Sequence, residues 1–273
     1  MRRLCCGLLC VFMSVGQADT RIAILIDDMG DNRENGERAL QLPAPISYAF
    51  LPHTALAPRL AREAHDKGRD VLLHAPMQSE AHLKLMGPGA LTTTMDESQL
   101  RAQLRLNFDS IPFVRGFNNH MGSVLTRDRL RMQWVMDEAR QRGVFFVDSR
   151  TISGSVARDV ASDSRIPNIG RDVFLDHDNQ APAIRKQWQR LLAKAREKGF
   201  ALAIAHPYPN TLAVLEQELP QLNDIHVVPV SQLLSGRPTI NTPPSCDAVS
   251  IAQLQNWRQL MQFTQALTQR CQN

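Results

Sequence analysis

Two adjacent aspartates follow a short apolar run near the start of the chain, in the stretch RIAILIDDMGDN that covers residues 21–32. Neighbouring carboxylates repel each other, so solvent, a basic side chain or a metal ion must make Asp27 and Asp28 tolerable at this place. A cation suits the pair, because one carboxylate can bind it while its positive charge keeps the other ionised as a base. A turn that caps a helix is the structural alternative.

Four later apolar runs also end in side chains that can bind a metal or transfer a proton. His74 follows DVLL, His120 ends the sequence RGFNNH, Asp148 follows VFFV, and His206 follows LAIA. Imidazole together with carboxylate is a ligand set for zinc or another first-row divalent ion. Each residue alone is compatible with an ordinary strand end, so the metal hypothesis depends on their joint pattern. The other histidines are interpreted as structural: His53, His65, His82, His177 and His226.

Apolar runs alternate with helical patterns over about 210 residues, which predicts an α/β fold with a mostly parallel sheet. The sheet could form a barrel, complete or distorted, or stay open. Gly68 closes one helical stretch, ALAPRLAREAHDKG, as a C-cap would. Because the carboxyl ends of parallel strands share one edge, the polar residues above should converge there. Asn118 and Asn119 precede His120 at the same strand end; in the structural alternative His120 lies in a turn and these asparagines supply local backbone hydrogen bonds.

The first residues, 1–18, have the pattern of a secretory signal peptide, with Arg2 and Arg3 before an apolar run and small residues before the expected cleavage point. We therefore expect export to the periplasm and a mature chain of charge +4 − 2 = +2. Cys246 and Cys271 would then be the remaining cysteines and are expected to form a disulfide. No other apolar segment is long enough to predict a membrane span in the mature protein.

The rest of the composition limits the possible partners. Lysine and arginine alternate with acidic residues along the helical stretches, which indicates solvated helix faces and not a nucleic-acid surface. One domain is expected over residues 19–236, followed at 237–273 by a proline-containing linker and a C-terminal helix. Aromatic residues make up 5% of the chain, a low fraction for a protein that grips long sugar chains by stacking.

Five ordered motifs, AILIDDMG, LLHAPMQ, GFNNHMGS, FFVDSRT and AIAHPYP, resemble the divergent polysaccharide deacetylase family, a branch of the NodB-like carbohydrate esterase superfamily. The resemblance covers Thr20 to Gly236 and implies a distorted (β/α) barrel with a divalent metal at its mouth. It implies that Asp27 is the catalytic base and Asp28 a metal ligand. The superfamily's second metal histidine is replaced by Gln78, and His120 is the nearest substitute.

The resemblance also implies an activity, the removal of acetyl groups from the amino sugars of a cell-envelope glycan. Asp28, His74 and His120 would hold a divalent ion, with zinc expected, and Asp27 would take a proton from water. His206 would protonate the leaving amine. Asp148 and Arg150 would orient the neighbouring groups. Two alternatives stay open: an inactive exported protein that binds a metal, a glycan or an envelope protein, and a hydrolase of another amide such as a peptide bond.

Overall fold

A computed structural model describes residues 20–80 and 85–235 of the chain. The expected signal peptide, the linker and C-terminal helix, and the proposed Cys246–Cys271 disulfide lie outside these residues.

The strands are β1 (Arg21–Met29), β2 (Ser47–Phe50), β3 (Val71–Met77), β4 (Gly116–Met121), β5 (Phe145–Asp148), β6 (Asn168–Gly170), β7 (Val173–Phe174), β8 (Phe200–Ala205) and β9 (His226–Val227). The helices are α1 (Arg33–Ala39), α2 (Ala57–Asp66), α3 (Glu97–Asp109), α4 (Arg129–Arg142), α5 (Ala157–Asp163), α6 (Ala181–Lys198), α7 (Pro209–Glu218) and α8 (Val230–Ser235). Two short 3-10 turns occur at Leu125–Arg127 and Leu219–Gln221.

Eight strands form one curved sheet in the order β6-β5-β4-β3-β2-β1-β8-β7, and β9 adds to β1. Every strand pair in it is parallel. The two end strands, β6 and β7, are separated in sequence by Arg171 and Asp172 alone, so the sheet curls until its edges are neighbours. The structure therefore confirms the predicted α/β class and the distorted (β/α) barrel with mostly parallel strands.

Alternate residues of each strand enter different parts of the core, as the two-residue period of a strand requires. In β1, Ile22, Ile24 and Ile26 belong to the large cluster that includes the helix residues Leu60 and Trp188. The intervening residues of β1 belong to a smaller cluster formed with inward residues of the other strands and of α8. Burial on both faces explains why the strands read as continuous apolar runs in the sequence.

Helix α8 packs at the amino-terminal ends of the strands, the edge opposite to the predicted site. Its first backbone N–H, from Val230, donates to Ser47 Oγ at 3.0 Å. Ser231 donates to the buried carboxylate of Asp70 through its N–H at 2.8 Å and its hydroxyl at 2.9 Å. Arg115 adds an ion pair to the same carboxylate at 3.1 Å. This polar network secures one end of the barrel and leaves the carboxyl ends of the strands available for chemistry.

Helix boundaries follow the local sequence signals. Asp96 caps α3 in a reciprocal capping box with Gln99. Gly68 follows the end of α2 with a φ of 69°, the left-handed conformation expected of a residue that closes a helix. Within the described ranges, no helix is long and apolar enough to cross a bilayer.

Candidate functional site

The carboxyl ends of β1, β3, β4, β5 and β8 meet on one rim of the barrel, where every residue predicted to act lies on a strand or just beyond one. His206 directly follows β8, and Arg150 is two residues past β5. The parallel register places His74 opposite Asn118 and Pro76 opposite His120. Asp28, His74 and His120 form a group whose ligand atoms lie within 4.8 Å of one another. We call these three residues the metal-ligand cluster.

Adjacent carboxylates reach one site because the backbone of β1 is irregular. Asp28 has a φ of 55°, a left-handed conformation that costs energy for a residue with a side chain. The register between β1 and β2 shifts between Ile26 and Met29. As a result, His74 Nε2 lies 3.6 Å from Asp27 Oδ2 and 3.2 Å from Asp28 Oδ1, although consecutive residues of a regular strand point to opposite faces.

Gly30 allows the chain to turn away directly after this irregularity. Its φ of 127° is readily accessible only to glycine, and a Cβ at this position would lie 2.2 Å from Thr54 Oγ1. The glycine of the motif IDDMG is therefore required by local geometry, and it contributes to the position of the two aspartates.

The separations within the metal-ligand cluster fit a shared cation. Asp28 Oδ1 lies 3.2 Å from His74 Nε2 and 3.2 Å from His120 Nδ1, and the two nitrogens are 3.1 Å apart. Ligands at zinc's usual bond lengths in a tetrahedral arrangement are about 3.3 Å apart. Asp28 Oδ1 is buried and, within the described residues, neither imidazole approaches it with hydrogen-bond geometry. An unsatisfied buried carboxylate oxygen beside two imidazole nitrogens is the arrangement that a bound cation would satisfy.

Hydrogen bonds to the far side of each imidazole determine which nitrogen is free. Asn118 Oδ1 is 2.8 Å from His74 Nδ1, and the Leu85 carbonyl is 3.2 Å from His120 Nε2. Both oxygens can only accept, so each ring carries its proton on that side and directs a lone pair at the cluster. The two lone pairs and Asp28 repel each other unless a proton or a metal ion lies between them.

The charges around His74 and Asp28 support the same conclusion. Burial alone would lower the pKa of His74, but Asp27 and Asp28 outweigh it and raise that pKa. Burial would raise the pKa of Asp28, yet the close imidazoles of His120 and His74 hold it well below its usual range. The cluster therefore attracts positive charge.

Asp27 is 2% exposed and is held by one amide. Asn118 Nδ2 lies 2.9 Å from each of its carboxylate oxygens and 3.1 Å from Ser149 Oγ. Burial raises the pKa of Asp27, while the charges of His74 and His206 oppose the rise. Asp27 is thus a positioned carboxylate with a strengthened affinity for protons, next to the cluster but not part of it.

His206 faces the cluster from β8 and is supported by Asp176. Its Nδ1 is 3.0 Å from Asp176 Oδ1, its backbone N–H donates to Asp176 Oδ2 at 2.6 Å, and its Nε2 lies 3.7 Å from Asp28 Oδ2. Thr211 donates a further hydrogen bond to Asp176. Burial would lower the pKa of His206, but the hydrogen bond and charge of Asp176 and the charges of Asp28 and Asp27 raise it to about 9. The imidazole is therefore suited to donate a proton.

Aromatic rings border His206 on both sides. Tyr208 stacks on it with ring centroids 5.2 Å apart, and Phe174 meets it edge-on at 5.4 Å. The Arg171 guanidinium lies over the Phe174 ring, 4.9 Å from its centroid. Tyr208 is 37% exposed, so part of its ring is open to solvent at the rim.

Asp148 and Arg150 lie on the same rim but contact the loop that follows β5. Asp148 Oδ1 accepts from the Arg150 N–H at 2.8 Å, and Oδ2 accepts from Ser155 Oγ at 3.2 Å. The Arg150 guanidinium donates to the Arg171 carbonyl at 3.3 Å. These residues order the loop that presents Ser149 to Asn118.

Two residues of the site were not identified from the sequence. Asn118 was given no role in the site, only local backbone bonding in the turn alternative for His120, but it connects Asp27, His74 and Ser149 through one amide. Asp176 ends the apolar run DVFLD, just as Asp148 and His206 follow apolar runs. This position at a strand end is the sequence signal that could have identified Asp176 as part of the site. His177 is exposed beside Phe174, while His53 bonds to Asn107 and His65 stacks on Phe113.

Comparisons with known proteins found one matching family and two relatives that align over most of their length. The sequence profile of the family described as divergent polysaccharide deacetylase matches residues 24–234. A protein of Haemophilus influenzae is 34% identical over 235 residues, covering 86% of this chain and 84% of its own. The protein YibQ of Escherichia coli K12 is 36% identical over 227 residues, covering 82% of this chain and 70% of its own.

A solved structure from Agrobacterium tumefaciens C58 shares the fold. It superposes with a TM-score of 0.75 over 80% of this chain and 90% of that chain, at 22% sequence identity. At this identity the similarity shows a common architecture, whereas the chemistry must be argued from the side chains of the rim.

Proposed function

The chain belongs to the divergent polysaccharide deacetylase family, and we propose that it is a metal-dependent hydrolase that removes acetyl groups from N-acetylated amino sugars of a cell-envelope polysaccharide. The observation that carries the proposal is the metal-ligand cluster with the Asp27 carboxylate 3.6 Å from His74 and the His206 imidazole 3.7 Å from Asp28. Acyl transfer to water needs these three parts: an electrophilic centre, a base and an acid.

Asp28, His74 and His120 are the proposed ligands, and zinc is the proposed ion. Two imidazoles and one carboxylate are a ligand set of catalytic zinc sites, which keep a further position open for water or substrate. A bound divalent ion supplies Lewis-acid polarisation of the acetyl carbonyl and makes water more acidic. Asn118 and the Leu85 carbonyl hold the outer nitrogens of the two imidazoles, so the ligand nitrogens are oriented before the ion arrives.

Asp27 is proposed as the general base. Its carboxylate lies beside the cluster without being part of it, and Asn118 fixes its orientation through hydrogen bonds to both oxygens. Burial raises its pKa, which strengthens it as a proton acceptor. Asp148 and Arg150 act indirectly by ordering the loop that places Ser149 against the same amide.

His206 is proposed as the general acid that protonates the departing amine. A pKa of about 9 keeps the imidazole protonated at neutral pH. Asp176 holds the ring through Nδ1, so the proton on Nε2 faces the cluster. We further propose a periplasmic location, because the pattern of residues 1–18 is that of a signal peptide and the proposed substrate belongs to the envelope.

Acetate release tests the proposal directly. The mature chain, supplied with zinc, is incubated with N-acetylated chitotetraose, and acetate is measured. Asp27→Asn preserves the shape of the side chain but cannot accept a proton, so we expect the rate to fall at least about 100-fold. Asp66→Asn makes the same chemical change at an exposed position on α2 and should leave the rate unchanged.

Three results would count against the assignment. If Asp27→Asn retains full activity, Asp27 is not the base. If the unmodified chain releases no acetate but cleaves amide bonds in envelope peptides, the peptide alternative replaces deacetylation. If it turns over neither kind of substrate, the inactive binding protein becomes the better interpretation.

A further inference from the structure

A second feature of the same rim is an open cavity of about 520 Å³ next to the loop that follows β5. We call it the arginine cavity. It is lined by Asp148, Arg150, Ile152, Ser153, Ser155, Arg158 and Asp159. Asp148 is the last residue of β5, and Ser149 beside it contacts the amide that holds Asp27. The cavity therefore lies next to the reaction centre, and its volume is within the range of ligand sites.

Among the residues that the structure describes, the two guanidinium groups of the cavity have no carboxylate partner. The Arg158 side chain forms no ion pair or hydrogen bond there, and the Arg150 guanidinium donates only to the Arg171 carbonyl. The carboxylates of the lining do not pair with them: both oxygens of Asp148 accept other hydrogen bonds, and Asp159 is exposed. A guanidinium has five N–H donors, so most of this donor capacity meets no acceptor within residues 20–80 and 85–235.

The fold makes room for one of these cations. A Cβ on Gly170 would lie 2.6 Å from Arg150 Nε and 2.9 Å from its Cζ, so the absence of a side chain there allows the guanidinium to lie against β6. Arg171 adds a third positive charge, held against the carbonyls of Ser149 and Arg150 at 2.7 and 2.9 Å. Burial and the nearby charge of Arg150 lower the pKa of Arg171, while the charges of Asp148 and Asp27 oppose this shift.

We propose that the arginine cavity binds a carboxylate carried by the glycan, so that the preferred substrate is an acidic amino-sugar polymer. A guanidinium binds a carboxylate with charge-assisted hydrogen bonds in a fixed geometry. Asp148 and Asp159 in the same lining disfavour a doubly charged phosphate more than a singly charged carboxylate. This inference rests on the proposed function for its substrate class and adds a charge requirement to it.

The test compares two sugars that differ only in charge. Neutral N-acetylated chitotetraose and its C6-oxidised form, in which carboxylates replace the hydroxymethyl groups, are titrated calorimetrically into the Asp27→Asn chain, which cannot consume them. We expect the acidic sugar to bind about tenfold more tightly at low salt, the size of one good charge-assisted contact. Arg158→Gln should abolish this preference without weakening the neutral sugar, and Arg158→Lys should keep part of it.

A matched control separates a site from general attraction. Arg190→Gln removes the same charge from an exposed position of α6 and should leave the preference intact. Three results would each overturn the proposal. The two sugars bind equally well, the preference for the acidic sugar survives in Arg158→Gln, or Arg190→Gln loses that preference to the same extent as Arg158→Gln. Thermal unfolding of each variant shows that it is folded, as expected for changes at positions that are not fully buried.

The two proposals fail separately. If the unmodified chain releases acetate but binds both sugars alike, the carboxylate site is wrong and the deacetylase stands. If it releases none while the preference depends on Arg158, the arginine cavity stands and the proposed activity is wrong.

Discussion

Asn118 connects the parts of the site at the scale of single residues. Its amide nitrogen donates to Asp27 and Ser149, and its oxygen accepts from His74. A reversed amide would place its oxygen against the carboxylate oxygens of Asp27, so the observed orientation is fixed. It orients the proposed base and sets the tautomer of His74, a proposed metal ligand. One neutral side chain, Asn118, thus fixes the orientation of both Asp27 and His74.

Replacing Asn118 should therefore impair both functions. We expect Asn118→Ala to lower kcat or zinc affinity by about 10- to 100-fold, the usual cost of losing a residue that supports a metal ligand. The measurements are acetate release and zinc titration. Asn223→Ala, at an exposed position, is the control and should behave as the unmodified chain. Unchanged activity and zinc affinity in Asn118→Ala would show that the amide has a structural role only.

Asp176 should determine the alkaline limit of the activity. A general acid must be protonated, so activity falls as pH rises through the pKa of His206, which Asp176 helps to raise to about 9. Asp176→Asn removes the charge while burial of the imidazole remains, so the alkaline limb of kcat/KM should move to lower pH. Asp176→Glu should move it less. A limb that stays in place in Asp176→Asn would remove His206 from the role of acid.

The sequence pattern predicted the proposed metal ligands and the proposed acid but not the residues that support them, for a physical reason. Asp28, His74, His120 and His206 each end an apolar run, and parallel strands bring such ends to one edge whatever the register. The role of Asn118 depends on its register opposite His74. No local pattern specifies that register. Adjacent asparagines before a histidine are equally typical of a turn, which is why the two interpretations could not be separated.

At the scale of elements, β1 and the short loops after the strands do most of the positioning. The left-handed Asp28 and the glycine turn at Gly30 bring two consecutive carboxylates to one imidazole. The alternation of strands and helices was readable from periodicity, whereas the irregularity in β1 was not. Strain of this kind persists only when the surrounding packing over-determines the backbone, and here β1 is buried between β2 and β8.

Residues at the amino-terminal ends of the strands should contribute to the stability of the fold and not to activity. Asp70 is buried and accepts from both the N–H and the hydroxyl of Ser231, which secures α8. Asp70→Asn places amide hydrogens against these donors, so we expect the free energy of unfolding to fall by about 1–3 kcal/mol. Urea denaturation measures it, with Asp66→Asn as the exposed control. Equal stability of the two variants would show that the network contributes nothing.

At the scale of the whole molecule, the barrel joins segments that are remote in the chain. Asp27 and Asn118 are 91 residues apart in sequence, and His206 and Asp28 approach across the neighbouring strands β8 and β1. The rim then presents three adjoining regions: the metal-ligand cluster, the partly exposed Tyr208 on His206, and the arginine cavity.

The central claim is that Asp28, His74 and His120 bind a metal ion, and metal content is its most direct test. The purified mature chain is loaded with zinc, freed of excess by buffer exchange and analysed for elements, with His226→Ala, an exposed histidine at the other edge, as the control. We predict about one zinc ion per chain in the unmodified protein and in the control, and loss of the ion in His74→Ala and in His120→Ala. A chain that retains no metal after loading, or retains it equally in both variants, would contradict the account.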